Sequence, residues 1–358
     1  MTEETKEVNT EAATEEKKVK KKKKIVITTN EVLTPFSLIM QLRKDLKEQV
    51  KNLTSTEARF LVDTYYTIQD YRIQLGSQLR AAEQKVDENP SGVLAWIEEN
   101  MTTMESTIRL ALKHYVDGHK MGPWLTAQLG IGPVLSAGLL AYIDIKKAPT
   151  VGHIWSYAGL DPTMKWHGAV QAAKWVKGMT EVTEKTYIDM AKLSGFKVDA
   201  IKRFAKEYAD IGKSKKIRVE DLKNALARRP WNAKLKVLCW KVGQSFVKLR
   251  NVENSYYGGV YRERDELEFN KSAAGDYRDQ ALARSKTVDK TTKGYPTYCK
   301  GELPESHIHT RAARYATKLF LAHMHEVWYK LEFKKDPPMP YAIAHGGHAH
   351  KIDPPTAG

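Results

Sequence analysis

Apolar residues along this chain recur mostly at spacings of three and four, the period of a helix, and seldom alternate as a half-buried strand would. From Thr54 to Gln84 the stripe is Phe60, Leu61, Thr64, Ile68, Tyr71, Leu75 and Leu79. Thr54, with Glu57 three residues on, has the form of a capping box, so the helix is expected to begin there. Asn89-Pro90-Ser91-Gly92 interrupts the pattern. A second stripe, Leu94, Ile97, Met101, Met104, Ile108, Leu112 and Tyr115, predicts a helix from about Val93 to Val116, closed by Asp117-Gly118. Two long helices across a short break should fold back as an antiparallel hairpin or join a coiled-coil-like bundle. Residues 54–116 are therefore also the candidate surface for a homodimer.

Helical signals continue downstream. Three or so short helices are expected over 170–228, a basic amphipathic helix over 231–250, a charged helix from Glu253 to Ala283, and a last helix from Pro304 to about Phe333. The stretch from Lys286 to Gly301 reads as a linker rich in Thr, Lys and Gly. The residues after Asp336, rich in Pro, Gly and His, read as extended. The best β-like run, Lys24 to Thr29, stands alone. Residues 1–24, glutamates followed by lysines, contain almost no apolar side chain and are expected to be disordered.

Charge sharpens this picture. The 358 residues carry 58 Lys and Arg against 43 Asp and Glu, a formal +15. The lysine-rich tail contributes only +2, eight bases against six acids. Residues 200–262 hold sixteen bases against five acids, +11, with Trp231, Trp240, Phe246, Tyr256, Tyr257 and Tyr261 interleaved. Basic charge fixed on a folded segment points to a polyanionic partner, DNA or structured RNA. Arg228, Arg229, Asn232, Lys234, Lys236 and Lys241 are the candidate contacts there. Two cysteines, Cys239 and Cys299, exclude a disulfide framework and a cysteine-rich zinc module. No apolar run approaches the roughly 20 residues of a membrane span, and no signal-peptide core is visible. A cytoplasmic location with no membrane partner is expected: nucleoid-associated, or in the host cytoplasm if phage-encoded.

The most patterned stretch is Leu125 to Ala141. A short apolar helix runs into Gly130-Ile131-Gly132, and Pro133 suits the first turn of a second helix, where its missing N–H costs nothing. Both glycines are expected to use positive φ in a tight turn, and the small residues Ser136, Ala137 and Gly138 to let the second helix pack closely on the first. This is the pattern of a helix-hairpin-helix. Free N–H groups at the turn and the start of the second helix make a phosphate site that needs no base-specific side chain. Gly130, Ile131, Gly132, Pro133, Val134 and Ser136 are the candidate residues.

The hairpin is followed by Ser156-Tyr157-Ala158-Gly159-Leu160-Asp161-Pro162, and later by Asn232-Ala233-Lys234-Leu235-Lys236-Val237-Leu238. In this order the three stretches resemble the C-terminal domain of the Piv/MooV-like insertion-sequence transposases and invertases, DEDD-type enzymes with a helix-hairpin-helix C-terminal domain. The resemblance covers roughly residues 121–250, with an insertion at 165–228, and implies DNA binding in transposition, recombination or a phage setting. Family members place an RNase-H-like domain ahead of this region, whose four acidic residues hold divalent metal. Here about 120 residues precede the hairpin and read as helices. Asp45, Asp63, Asp70 and Asp87 fall in helical or turn settings, so no metal-binding carboxylate carries over. Magnesium enters only if the chain is an active transposase. The family also uses a serine nucleophile in a Ser-Gly pair soon after the Gly-Leu-x-Pro motif. His167-Gly168 stands in that place, and Ser194-Gly195 lies inside the insertion.

The predicted fold is thus mainly α. It comprises a charged tail over 1–24, a helical hairpin or coiled coil over 25–120, and a helix-hairpin-helix domain over 121–285. A linker over 286–303, a helix over 304–335 and a tail over 336–358 complete it. The leading expectation is a DNA-binding relative of these transposases without the catalytic domain. The alternatives are an active transposase or recombinase with an unrecognised site, and an RNA-binding or structural phage protein.

Seven of the eleven histidines follow residue 304. His323 and His325, two apart on a helix, point to nearly opposite sides and cannot share one ion. His345, His348 and His350, in a Gly-rich stretch, are the weak metal candidates. Otherwise the histidines are expected at the surface or on nucleic acid. Arg311, Arg314 and Lys318 share one face of the last helix and are further candidates for phosphate.

Overall fold

The computed structural model describes residues 44–84, 92–214, 216–339 and 351–355. The charged tail, the lone β-like run at 24–29 and His345, His348 and His350 lie outside the described residues. Every regular element among those described is helical.

Helix α1 (Lys44–Lys51) leads to the reciprocal cap expected at Thr54. The Glu57 carboxylate accepts from the Thr54 N–H at 2.8 Å, and the Thr54 hydroxyl accepts from the Glu57 N–H at 3.3 Å. This cap opens α2 (Ser55–Glu83), and α3 (Gly92–Asp117) folds back along it. Glu105 of α3 clamps α2, accepting from Tyr65 Oη and Gln69 Nε2, both at 2.9 Å, and from Arg72 Nε at 2.5 Å. The near ends enter the core through Ala58, Val62, Tyr65, Leu112 and Val116. From Tyr66 onward in α2, and up to Leu110 in α3, no described side chain is buried, so the pair extends away from the core as a two-helix arm.

The core is built where the arm meets α4 (Gly122–Ala127), α5 (Pro133–Tyr142) and α6 (Val151–Tyr157). The insertion at 165–228 forms α7 (Gly168–Val176), α8 (Glu184–Ser194), α9 (Val198–Ile211) and α10 (Val219–Ala227). These four surround a core of their own centred on Met190, Ile201, Leu222 and Leu226. The chain then returns to the main core as α11 (Ala233–Lys248) and α12 (Tyr256–Ala273). Helices α13 (Arg278–Ser285) and α14 (Tyr295–Cys299) lead to α15 (Glu305–Phe333), which runs through the main core. Phe246 of α11 stacks on Tyr257 of α12 at 4.9 Å between centroids and meets Phe320 of α15 edge-on at 5.6 Å.

One expectation changes. The segment 286–303 is not a plain linker: it carries α14, and Tyr298 and Leu303 pack with Ala281 and Ile308 in a small third core. Residues 351–355, in the stretch expected to be extended, carry no regular element and lie against the body. Lys351 pairs with the Glu326 carboxylate at 2.6 Å, and the Trp124 indole donates to Pro355 O at 3.4 Å.

Candidate nucleic-acid interface

Helices α4 and α5 make the expected hairpin, and Gly130 sits in its turn at φ +91°. An ideal Cβ on Gly130 would lie 2.7 Å from Ser245 Oγ and 2.8 Å from Leu249 Cδ1 of the α11 end. The Ser245 hydroxyl donates to Gly130 O at 2.7 Å, which ties the turn to α11. Gly132 does not use positive φ. It is the N-cap of α5 at φ −76°, ψ 175°, is exposed, and has open space where a Cβ would project. The first bond of α5 runs from the Ser136 N–H to Gly132 O at 2.9 Å. Ahead of it the N–H groups of Gly132, Val134 and Leu135 have no acceptor among the described residues. Ile131 and Val134 have buried side chains, so only their backbone can face a ligand.

Ser136 is a correction. It is fully buried, and its hydroxyl has no hydrogen-bond partner among the described residues, so it cannot reach a phosphate. Nor do the small residues mainly bring α5 onto α4. Gly138 faces α11 instead, where a Cβ would lie 2.7 Å from Leu238 Cδ2.

The six candidate residues of the basic segment fall into different environments. Lys234 is ion-paired with Asp63 of α2, which also accepts from Tyr142 Oη at 3.1 Å. Lys241 lies over the Tyr66 ring at 3.7 Å, and Asp70 partly offsets the burial that lowers its pKa. Arg228 pairs with Glu207 at 2.5 Å and stacks on Phe204. Asn232 caps α11: its Oδ1 accepts from the Leu235 N–H at 2.9 Å and its Nδ2 donates to Tyr157 Oη at 3.0 Å, which commits both ends of the amide. Arg229 lies over Trp166 at 4.6 Å, and Lys236 over Trp231 at 3.9 Å. Neither has an ion-pair partner among the described residues. Of the α15 candidates, Arg311 donates to the buried Glu268 carboxylate at 2.7 Å, while Lys318 sits over Trp155 at 4.1 Å.

The structure also brings His167 to Ser194, which sequence spacing kept apart. His167 Nε2 lies 3.0 Å from Ser194 O, and both line a cleft of about 910 Å³ with Asp161, Thr163 and Arg203. The Ser194 hydroxyl donates to Met190 O at 2.7 Å and accepts from the Phe196 N–H at 3.2 Å. It thereby closes α8 rather than projecting into the cleft as a free nucleophile.

Of the histidines of α15, His323 and His325 are buried and His307 and His309 half-buried. Tyrosine hydroxyls meet Nδ1 of His307 at 3.0 Å, of His309 at 2.7 Å and of His323 at 2.9 Å. His323 Nε2 meets Ile352 O at 3.0 Å, and His325 Nε2 meets Ala148 O at 2.8 Å. Burial pushes the His307, His323 and His325 rings below the usual imidazole range. No three His, Cys, Asp or Glu side chains among the described residues come together to hold a metal ion, and Asp63 is committed to Lys234 and Tyr142. No described helix is long and apolar enough to cross a membrane.

No protein-family model, curated protein or solved structure matches this chain.

Proposed function

We propose that this chain binds DNA through its phosphates, in a recombination, mobile-element or phage setting. The supporting observation is the Gly130–Leu135 turn, where a surface glycine and unbonded N–H groups open a helix. An anion placed there meets N–H donors and the positive end of the helix dipole. Such contacts read no base, so binding should tolerate sequence and weaken steeply with salt. The test is affinity of the full chain for duplex, branched and single-stranded DNA and for structured RNA across a salt series. A flat salt response, or binding to none of them, overturns the reading, and preference for RNA moves it to the RNA-binding alternative. A homodimer through residues 54–116 belongs to the same reading, supported by Phe60, Tyr71 and Ile73 exposed on the arm.

A second reading, strand cleavage, has one observation on its side: Ser194, His167 and Asp161 line one cleft. Incubating supercoiled and linear DNA with the protein and magnesium or manganese separates the two. Metal-dependent nicking that Ser194→Ala abolishes would favour cleavage.

A further inference from the structure

We propose that Lys236, Arg314 and Lys318, with Arg229 at the rim, form a built binding site for a phosphate group. Only the identity of the ligand, a backbone phosphodiester, rests on the DNA reading above.

The placement starts with the Tyr157–Pro162 turn. Gly159 has φ +66°, and a Cβ there would lie 2.8 Å from Trp231 Cγ and 3.0 Å from Lys236 Cδ. The turn therefore lies flush under the indole and the lysine stem. Trp231 in turn carries the Lys236 ammonium over its ring. On the other side, the Trp155 indole donates to Lys318 O at 3.2 Å while its ring carries the Lys318 ammonium. Arg314 stands one helical turn before Lys318 on α15, is exposed, and acts electrostatically on both lysines. Lysine stems resting on indoles are partly immobilised before any ligand arrives, which lowers the ordering cost of binding.

Charge balance distinguishes this cluster from its surroundings. Lys234, Arg228 and Arg311 are paired with Asp63, Glu207 and Glu268, and Lys241 has Asp70 nearby. Arg229, Lys236, Arg314 and Lys318 have no ion-pair partner among the described residues. Asp161 is the acid that acts on Lys318, and its carboxylate already accepts from Ser156 Oγ and the Thr163 N–H, each at 2.9 Å, and from Thr163 Oγ1 at 2.7 Å. Burial, then Arg314 and Arg229, holds the Lys236 ammonium below the usual lysine range. Burial also lowers Lys318, against Asp161 and with Arg314. Two partly desolvated ammoniums beside a guanidinium are stabilised by an anion with several acceptor oxygens, through charge-assisted hydrogen bonds.

Two lysine pairs in the full-length protein test this. For Lys236→Gln/Lys318→Gln, the slope of log affinity for a duplex against log salt should fall by about 1, since the lost phosphate contact removes roughly 0.9. Quenching of tryptophan fluorescence by inorganic pyrophosphate should disappear, and Lys236→Arg/Lys318→Arg should restore both signals. Lys234→Gln/Lys241→Gln, whose charges already face carboxylates, should leave the slope unchanged. Equal slope losses in the two glutamine pairs would overturn the assignment, as would both signals surviving in Lys236→Gln/Lys318→Gln. Pyrophosphate binding lost in that variant, with no DNA binding by the native chain, would uphold the site for a small phosphate and refute the DNA reading. A native salt slope kept by that variant, with DNA binding abolished at the hairpin, would uphold the DNA reading and refute this site.

Discussion

Gly132→Asp separates binding from folding at the hairpin turn. Position 132 is the N-cap of α5, with the extended backbone that caps adopt, and nothing lies within 4 Å of where its Cβ would project. Aspartate is among the best N-cap residues, better than glycine by a few tenths of a kcal/mol, so the variant should fold at least as well. Its carboxylate would take the unbonded N–H of Val134 or Leu135 and place a negative charge where a phosphate is proposed. At about 4 Å, two unit charges repel by about 1 kcal/mol in bulk water and about 4 kcal/mol at the effective dielectric of a protein surface. The lower figure alone corresponds to an affinity loss of about fivefold, and the upper one to nearly a thousandfold. Fluorescence anisotropy with a labelled duplex at two salt concentrations, beside a thermal melt, reads both effects. An undiminished affinity with an intact fold would refute the hairpin as a phosphate contact. Gly130→Ala is the poorer probe. Its φ of +91° and the approaches of Ser245 and Leu249 would cost the fold itself about 1–2 kcal/mol or more.

Other expectations concern the frame of the site. Glu268 is 1% exposed between Arg264, at 2.5 Å, and Arg311, at 2.7 Å, so Glu268→Gln should lower stability by about 3 kcal/mol in urea unfolding; a loss below about 1 kcal/mol would show the ion triad to be dispensable. Gly159→Ala forces an L residue into φ +66° and a methyl into the Trp231 ring, so about 2 kcal/mol should be lost, and an unchanged urea midpoint would contradict the packing of the turn. Acid should act in two stages. The lowered imidazoles of His307, His323 and His325 refuse protons that the unfolded chain accepts near 6.5, so stability falls as pH drops below that value. Hydrogen bonds and cationic partners outweigh burial and hold the Glu268 and Glu326 carboxyls below 4.5. Their contribution is full above 4.5 and lost as pH falls towards the folded values. A urea midpoint flat between pH 7 and 5 would refute the neutral buried histidines.

Local patterns determined much of the scaffold. The helices expected at Thr54–Gln84, Val93–Val116 and Pro304–Phe333 appear as Ser55–Glu83, Gly92–Asp117 and Glu305–Phe333, because capping residues and apolar stripes act over a few neighbouring positions. The hairpin turn was legible for the same reason, and so was the divergence of His323 and His325, which bond to Ile352 and Ala148. Helix α14 was not legible. It lies in a Thr-, Lys- and Gly-rich segment that resembles a linker, and its order comes from Ala281 and Ile308 closing over Tyr298 and Leu303.

The site divides along the same line. By itself the sequence determined that basic charge is concentrated on a folded helical segment beside a glycine turn. It could not distinguish Lys234 from Lys236, because the difference lies in remote partners: Asp63 is 171 residues from Lys234, whereas Lys236 lies over an indole and near other cations, with no ion-pair partner among the described residues. Nor could it show that Ser136 faces inward, or that Arg311 is committed to Glu268 while Lys318 is not. Helix formation depends on near neighbours, but whether a charge is neutralised or left available to a ligand depends on what the fold packs against it. Only the tertiary structure decided that.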